Sequence, residues 1–253
     1  MDHIPAGIWL VLELVVGCAG GWNVWQFIKA YRTADKGQSV EQRIEEMVAR
    51  LVKSRLVGAF LTRDLLMVYY LFSKSKQPSE EHAQVFTVHQ KIGYGGIVFG
   101  FIFVLVLEGA GLSYFLHGWN KAIAWIHLVL SIYMILFLIS DYKAVKRNPI
   151  RVSPDQLQFR LGLWGKLDIP LTNIDHIQTG KTHFEADQKR KDVWMAALIG
   201  FDEPELEMVF KEPVVFKNGM GRDVLIKKVY LTVDDSHAFI EAVLENQSAC
   251  EVG

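Results

Sequence analysis

Residues 93–147 read GYGGIVFGFIFVLVLEGAGLSYFLHGWNKAIAWIHLVLSIYMILFLISDYKAVKR, and this stretch decides the fold. Its two apolar runs, 93–116 and 122–140, contain a single charged residue, Glu108. Each run is long enough for a hydrocarbon core of about 30 Å, which takes about 20 residues of helix. His117–Asn120 reads as a tight turn between them, and Asp141, Lys143, Lys146 and Arg147 close the second run. The pattern predicts two antiparallel transmembrane helices.

Upstream, residues 8–28 form a third apolar run. It ends in Trp22 and Trp25 followed by Lys29 and Arg32, an interfacial aromatic belt with anchoring cations. The first five residues carry no Lys or Arg, so the run is expected to persist as an anchor and not as a cleaved signal peptide. Gly17 with Gly21, and Gly96 with Gly100, are small residues four apart, which let a neighbouring helix approach closely.

Residues 39–73 read as one long helix opened by the capping box Ser39-Val40-Glu41-Gln42. Its second half, 56–73, is apolar but holds Arg63 and Asp64. Each such charge costs about 2.5–3.5 kcal/mol at a helix centre, more than the surrounding apolar residues return. The half is therefore expected to be embedded or interfacial, with its crossing left open. Arg63 and Asp64 are adjacent, so each needs its own partner. Pro78 breaks the chain, and a helix is expected from about Glu80 into the run at 93.

The chain is 51% hydrophobic, but the excess lies before residue 148 and the remainder has ordinary soluble composition. This divides it into a helical membrane domain, 1–147, a compact domain, 148–247, and a short tail, 248–253. A net charge of −1 supplies no field for nucleic acid. Cys18 and Cys250 sit in unlike surroundings, so neither a disulfide nor a zinc site is expected. If 56–73 does not cross, nearly every Lys and Arg of the membrane part lies on one side, and Lys121 alone on the other. The positive-inside rule makes the crowded side, and the C-terminal domain with it, cytoplasmic.

That domain reads as strands. Leu157, Phe159 and Leu161 alternate with polar residues, as do Leu167 and Ile169, and then Leu206, Met208 and Phe210. Ile174 with Ile177, and the short run from Val193, suggest further strands. Asn218-Gly219 marks a turn before Val224, Ile226, Val229, Leu231 and Val233, whose change of phase at Lys227-Lys228 suggests a bulge. Phe239, Ile240, Val243 and Leu244 form one face of a last helix.

Asn148-Pro149-Ile150-Arg151-Val152, the hairpin Leu157–Ile169 and the step Ile169-Pro170-Leu171-Thr172-Asn173-Ile174 resemble a bacterial pleckstrin-homology-like (PH-like) domain attached to membrane helices. A longer resemblance runs over about 60–245. Thr62-Arg63-Asp64, Tyr69-Tyr70, Phe86-Thr87-Val88-His89-Gln90-Lys91, Gly111-Leu112, Leu116-His117, Asp141, Ala144-Val145 and Asn148-Pro149 resemble uncharacterised bacterial multi-span membrane proteins. Some of these carry the automatic label beta-carotene 15,15'-monooxygenase, an activity that needs several intramembrane histidines holding iron. Here only His127 lies well inside a span. The apolar runs and the charge distribution predict three transmembrane helices, 8–28, 93–116 and 122–140, with 56–73 a fourth embedded or interfacial one, an architecture the resemblance supports. A mainly-β PH-like barrel, capped by a C-terminal helix, follows them at the cell membrane.

The candidate intramembrane polar site is Glu108 with His127, and Glu13 nearer the outer surface. With the turn centred near residue 118, Glu108 and His127 both lie about 14–15 Å below that surface, near the midplane. Paired, they offer a proton relay, a polar-ligand site or an interhelical hydrogen bond. Arg63, Asp64, His89, His117 and Asp141 are secondary candidates. His89 and His117 fall about 40 Å apart along the helix, so they cannot share a metal ion, and no metal or cofactor is expected. Lys181, Lys189, Arg190 and Lys191 lie in a polar loop, able to touch anionic lipid but diluted by His183, Glu185, Asp187 and Asp192. No phosphate-cradling loop or nucleophile elbow occurs. The preferred reading is a binding or scaffolding protein. Its PH-like domain, held at the bilayer, meets a protein, peptide or anionic lipid. The alternative is a membrane-embedded enzyme or small transporter using Glu108 and His127.

Overall fold

The computed structural model describes residues 39–73, 83–180, 183–196, 198, 204–218 and 221–252. The run 8–28, with Glu13 and Cys18, lies outside them. The chain divides into two compact units, Met1–Leu65 and Leu66–Gly253.

In the first unit, helix α1 spans Val40–Leu51. The capping box forms as expected: Ser39 Oγ accepts from the Gln42 N–H at 3.3 Å, and Gln42 Oε1 accepts from the Ser39 N–H at 3.1 Å. The single long helix does not form. Val52 is extended, and α2 begins at Arg55 and runs to Phe72. The break falls at Val52-Lys53-Ser54, where a β-branched residue precedes a serine whose hydroxyl sits 3.5 Å from the Val57 N–H, a weak cap for the new helix.

The second unit opens with the end of α2, from Leu66, and continues with strand β1, Gln84–Phe86, and helices α3, Tyr94–Trp119, and α4, Lys121–Arg147. The helix expected from Glu80 is replaced by this strand and a turn. Gly93, at φ 64°, sets the turn at the start of α3, a conformation open to glycine at little cost. Among the described residues, α3 and α4 are the two helices long and apolar enough to cross a membrane. Most of their apolar surface is not covered by the other described residues. Phe99, Phe103, Leu107, Trp125, Val129 and Leu130 are all exposed along them.

The turn between them is tighter than His117–Asn120. Helix α3 continues to Trp119, and Asn120 alone joins the pair. Its N–H closes α3 on Leu116, and its Oδ1 accepts from the Ala122 and Ile123 N–H groups at the start of α4.

After α4 come β2 (Ile150–Val152), β3 (Gln156–Leu161), β4 (Gly165–Pro170), a 3-10 turn (Leu171–Asn173) and β5 (Ile174–Thr179). A short helix α5 (Phe184–Asp187), β6 (Val193–Ala196), β7 (Leu206–Asn218), β8 (Asp223–Leu231) and helix α6 (Ser236–Val252) complete the chain. The eight strands form one mixed sheet in the order β1-β2-β3-β4-β7-β8-β6, with β5 paired to β7. Every pair is antiparallel except β6 with β8.

Two features differ from the alternation. The register irregularity lies in β7, between Val209 and Val214, opposite Lys227 of β8. Pro213 sits there, where its missing N–H breaks no ladder bond. The Lys227 N–H turns instead to the Asp192 carbonyl at 2.8 Å. The face that α6 buries is Phe239, Ala242 and Val243, while Leu244 is exposed.

The main core runs from the sheet into the base of the helical pair. Leu157, Phe159, Leu167, Ile169, Met208 and Phe239 are continuous with Phe86, Tyr94, Val98 and Val145. A smaller cluster joins Met67 and Tyr70 of α2 to Phe137, Ala144 and Leu163. Strand β1 precedes the helical pair and β2 follows it, yet they pair directly through Val85 and Arg151. The sheet therefore closes across the insertion and holds both legs.

Candidate functional site

Three polar knots sit where the helices meet the sheet or inside the sheet itself. The first centres on Asp141, 2% exposed, near the end of α4. Its Oδ2 accepts from the Tyr94 hydroxyl at 2.5 Å, and its Oδ1 from the Leu163 N–H at 2.9 Å. One carboxylate so ties α3, α4 and the β3–β4 turn together. Gly162 makes this approach possible: at φ 51°, a Cβ there would stand 2.4 Å from Asp141 Oδ1. Trp164 in the same turn packs edge-on against Phe137, with ring centroids 5.5 Å apart.

Helix α4 also serves the end of α2. Ser140 Oγ donates to the Met67 carbonyl at 2.9 Å, Lys143 Nζ to the Leu71 carbonyl at 2.7 Å, and Arg147 to the Ser73 carbonyl. Cations at carbonyls left over by a helix end are favoured by charge as well as by hydrogen bonding. Asn148 Nδ2 donates to the Tyr70 hydroxyl at 2.6 Å. The order of these contacts makes α2 run parallel to α4 over this stretch.

The second knot locks the other leg. Asp234, after β8, accepts from the Thr87 hydroxyl at 2.5 Å and from the Gln90 and Lys91 N–H groups. Partial burial opposes its charge, but the Lys91 N–H, Thr87 hydroxyl and Gln90 N–H together hold its carboxyl below the usual range.

The third knot is a buried charge cluster under the polar loop. Lys228 Nζ lies 2.6 Å from Asp187 Oδ2 and 2.6 Å from Glu207 Oε1. The Tyr230 hydroxyl donates to Asp187 Oδ2 at 2.8 Å and reaches Glu207 Oε2 at 3.2 Å. Arg190 covers the rim, bound to Asp187 and more closely to Asp192. Burial works against every charge here. Hydrogen bonds from Lys228 nonetheless hold both carboxyls below their usual range, and the carboxylates hold the Lys228 ammonium above its own. Burial and Asp187 push the Tyr230 phenol up. The cluster pins the 183–192 segment onto β7 and β8, and Phe184 packs edge-on against Tyr230.

Sequence reasoning did not select this cluster. The signal was the phase change at Lys227-Lys228, which seats Lys228 and Tyr230 on one face of β8 and Val229 and Leu231 on the other. Both faces are covered, so simple alternation fails. The expected basic loop is also altered, because Arg190 is spent on Asp187 and Asp192.

The intramembrane candidates are not brought together. His127 Nδ1 lies 3.0 Å from Ser113 Oγ, and Gly109 faces Ser131 across the same interface. These pairs centre the turn on Asn120, not residue 118. Glu108 and His127 are then offset by five residues, about 7.5 Å along the axis. Glu108 is exposed among apolar neighbours, and His127 is half-buried against α3. Arg63 and Asp64 are half-buried on α2, and the Arg63 guanidinium lies 4.7 Å from the Phe60 ring centre. His117 is exposed beside the turn. His89 lies between β1 and α3 with a buried Nδ1 that has no hydrogen-bond partner. Among the described residues, no three His, Cys, Asp or Glu side chains converge as a metal site would require. No family model, curated protein or solved structure matches the chain.

Proposed function

We propose that this chain is a membrane-anchored binding or scaffolding protein. In this reading α3 and α4 cross the bilayer as a hairpin, residues 8–28 add a third span, and the sheet sits on the cytoplasmic side. The sheet serves as a PH-like module plugged by α6, presenting its surface to a protein, peptide or lipid headgroup. One observation carries the reading: the apolar hairpin is inserted between two paired strands, and each leg is tied to the sheet by a carboxylate, Asp141 on one side and Asp234 on the other. Such a junction fixes the orientation of the sheet against the hairpin, which a flexible tether would not do. Lys91, Lys143, Lys146, Arg147 and Arg151 cluster near the sheet end, and Lys121 stands alone at the turn, as the positive-inside rule requires of a cytoplasmic sheet.

Topology mapping in a bacterial host tests this. A reporter fused after Gly253 that works only in the periplasm should stay silent. A cysteine placed at Lys121 should react with an impermeant maleimide added outside. An active C-terminal reporter, or a Lys121→Cys site protected outside and open inside, overturns the orientation.

A further inference from the structure

Glu108 is the one charged residue in the apolar runs of the hairpin, and it points away from the hairpin's own interface. Helix α3 meets α4 through Gly109, which faces Ser131, and through Ser113, which meets His127. Successive helix residues turn by about 100°, so Glu108 is rotated about 100° from Gly109 and about 140° from Ser113. It is exposed, and it lies 12 residues before Asn120. That is about 18 Å along the axis, near the middle of a hydrocarbon core about 30 Å thick. Between Lys121 and Asp141, α4 carries no charged residue that could meet it. Lipid tails offer a carboxyl no hydrogen bond, and ionisable groups at this depth as a rule face another helix or a water-filled cavity.

The positions around Glu108 say which helix meets it. Phe101, Val104, Glu108, Gly111, Phe115 and Gly118 follow one another at alternating steps of three and four residues, and all are exposed. This is the heptad spacing along which helices pack side by side, at the crossing angle of about 20° common in membrane bundles. A Cβ at Gly111 or Gly118 would meet nothing within 4 Å, so two backbones can close there. Helix α3 is apolar on its other exposed sides as well, and Glu108 singles this seam out. A lone polar residue in a heptad seam fixes register, because only one alignment gives it a hydrogen-bonding partner. Copies of one chain cross a membrane in the same orientation. A second α3, parallel and in register, therefore presents the same carboxyl at the same depth.

We propose that two copies of this chain pair through α3 along this seam, with the two Glu108 carboxyls hydrogen-bonded to each other. A protonated O–H of one donates to the facing oxygen of the other, so neither is left open to lipid. The proposal rests on the bilayer-spanning hairpin proposed above. It gives the scaffold a partner, a second copy of itself, and sets two sheets side by side on one face of the bilayer.

The test uses the full chain. It is first reconstituted into phosphatidylcholine vesicles and washed with alkali; release by the wash would defeat the spanning hairpin, apart from the pairing. Single cysteines are then placed in a Cys18→Ser, Cys250→Ser chain and oxidised in the washed vesicles with copper phenanthroline. Val104→Cys and Phe115→Cys, on the seam, should cross-link two chains. Phe99→Cys and Val106→Cys, exposed but rotated about 160–180° from Glu108, should not. Pairing strength is read by energy transfer between copies carrying dyes on a C-terminal tag, as the chain is diluted in lipid. Glu108→Leu should weaken pairing about 5- to 30-fold, the loss of one interhelical hydrogen bond. Glu108→Gln keeps a donor and an acceptor and should retain it. Should Glu108→Leu not fold, the cysteine pattern, with Glu108 in place, decides alone. Seam cysteines that cross-link no better than Phe99→Cys and Val106→Cys, or a Glu108→Leu chain that pairs as tightly as the native one, overturn the proposal.

Discussion

Asp141 and the Asp187–Glu207 pair are all carboxylates withdrawn from water, yet the two regions satisfy them in opposite ways. Asp141, at the hairpin base, has neutral donors: a phenol and a backbone amide. Asp187 and Glu207, inside the sheet, share a lysine ammonium and a phenol, with an arginine on the rim. The first is a hydrogen-bonded joint between elements. The second is a charge-balanced plug under a loop. A joint made of directed bonds fails by losing geometry, whereas a charge cluster fails by losing balance.

The largest effect should come from unbalancing the cluster. Lys228→Met leaves two buried carboxylates facing each other and should cost about 3–5 kcal/mol of unfolding free energy. Combining it with Asp187→Asn and Glu207→Gln should recover much of that loss. Chemical denaturation in detergent measures both, and a triple variant no more stable than Lys228→Met would show that charge balance is not what the cluster supplies. The pH dependence follows from the same groups. Asp187 and Glu207 are held below their ordinary values of 3.8 and 4.5, so their contribution is present above those values and lost as pH falls through the depressed ones. Lys228 is held above 10.5, so its contribution is complete below 10.5 and lost as pH rises through the raised value.

Breaking the joint should matter somewhat less. Asp141→Leu strands the Tyr94 hydroxyl and the Leu163 N–H, at about 1–3 kcal/mol for each donor. Asp141→Asn keeps an acceptor for the Leu163 N–H and should cost about 1 kcal/mol. Because its partners are neutral, the Asn variant should be tolerated. If Asp141→Asn is as damaging as Asp141→Leu, the joint depends on charge after all and the contrast between the two regions collapses.

The smallest effect belongs to the hairpin's interior. Ser113→Ala removes the partner of His127 and should cost about 0.6 kcal/mol, the average for polar pairs between membrane helices. A loss well above about 1.7 kcal/mol would make the Ser113–His127 contact more than packing.

Hairpin and sheet differ in how far they can be read from the chain. The hairpin is legible because its signal is composition: two long apolar runs, with Glu108 their single charged residue, and a basic end need no partner to identify them. The alternating strands Leu157–Leu161 and Leu167–Ile169 were equally legible, because each presents one face to the core. Legibility failed where a segment is covered on both faces, as at Lys228 and Tyr230. It failed again where short-range and long-range preferences compete, as at Gln84–Phe86. That trio has no strong strand pattern of its own and becomes a strand because Ile150–Val152, more than sixty residues later, offers it an edge.

By itself the sequence determined the apolar hairpin, the capping box at Ser39 and the strand-then-helix order of the C-terminal part. These follow from local composition and period, which each segment carries alone. The tertiary structure decided that the sheet begins before the hairpin and that His127 meets Ser113 and not Glu108. It also decided that Asp141 and Asp234 clamp the two legs, and that Arg160, Lys166 and Lys217 align across three strands. Each of these depends on register between distant segments. A shift of one or two residues, such as moving the turn to Asn120, exchanges every partner while leaving composition and period unchanged.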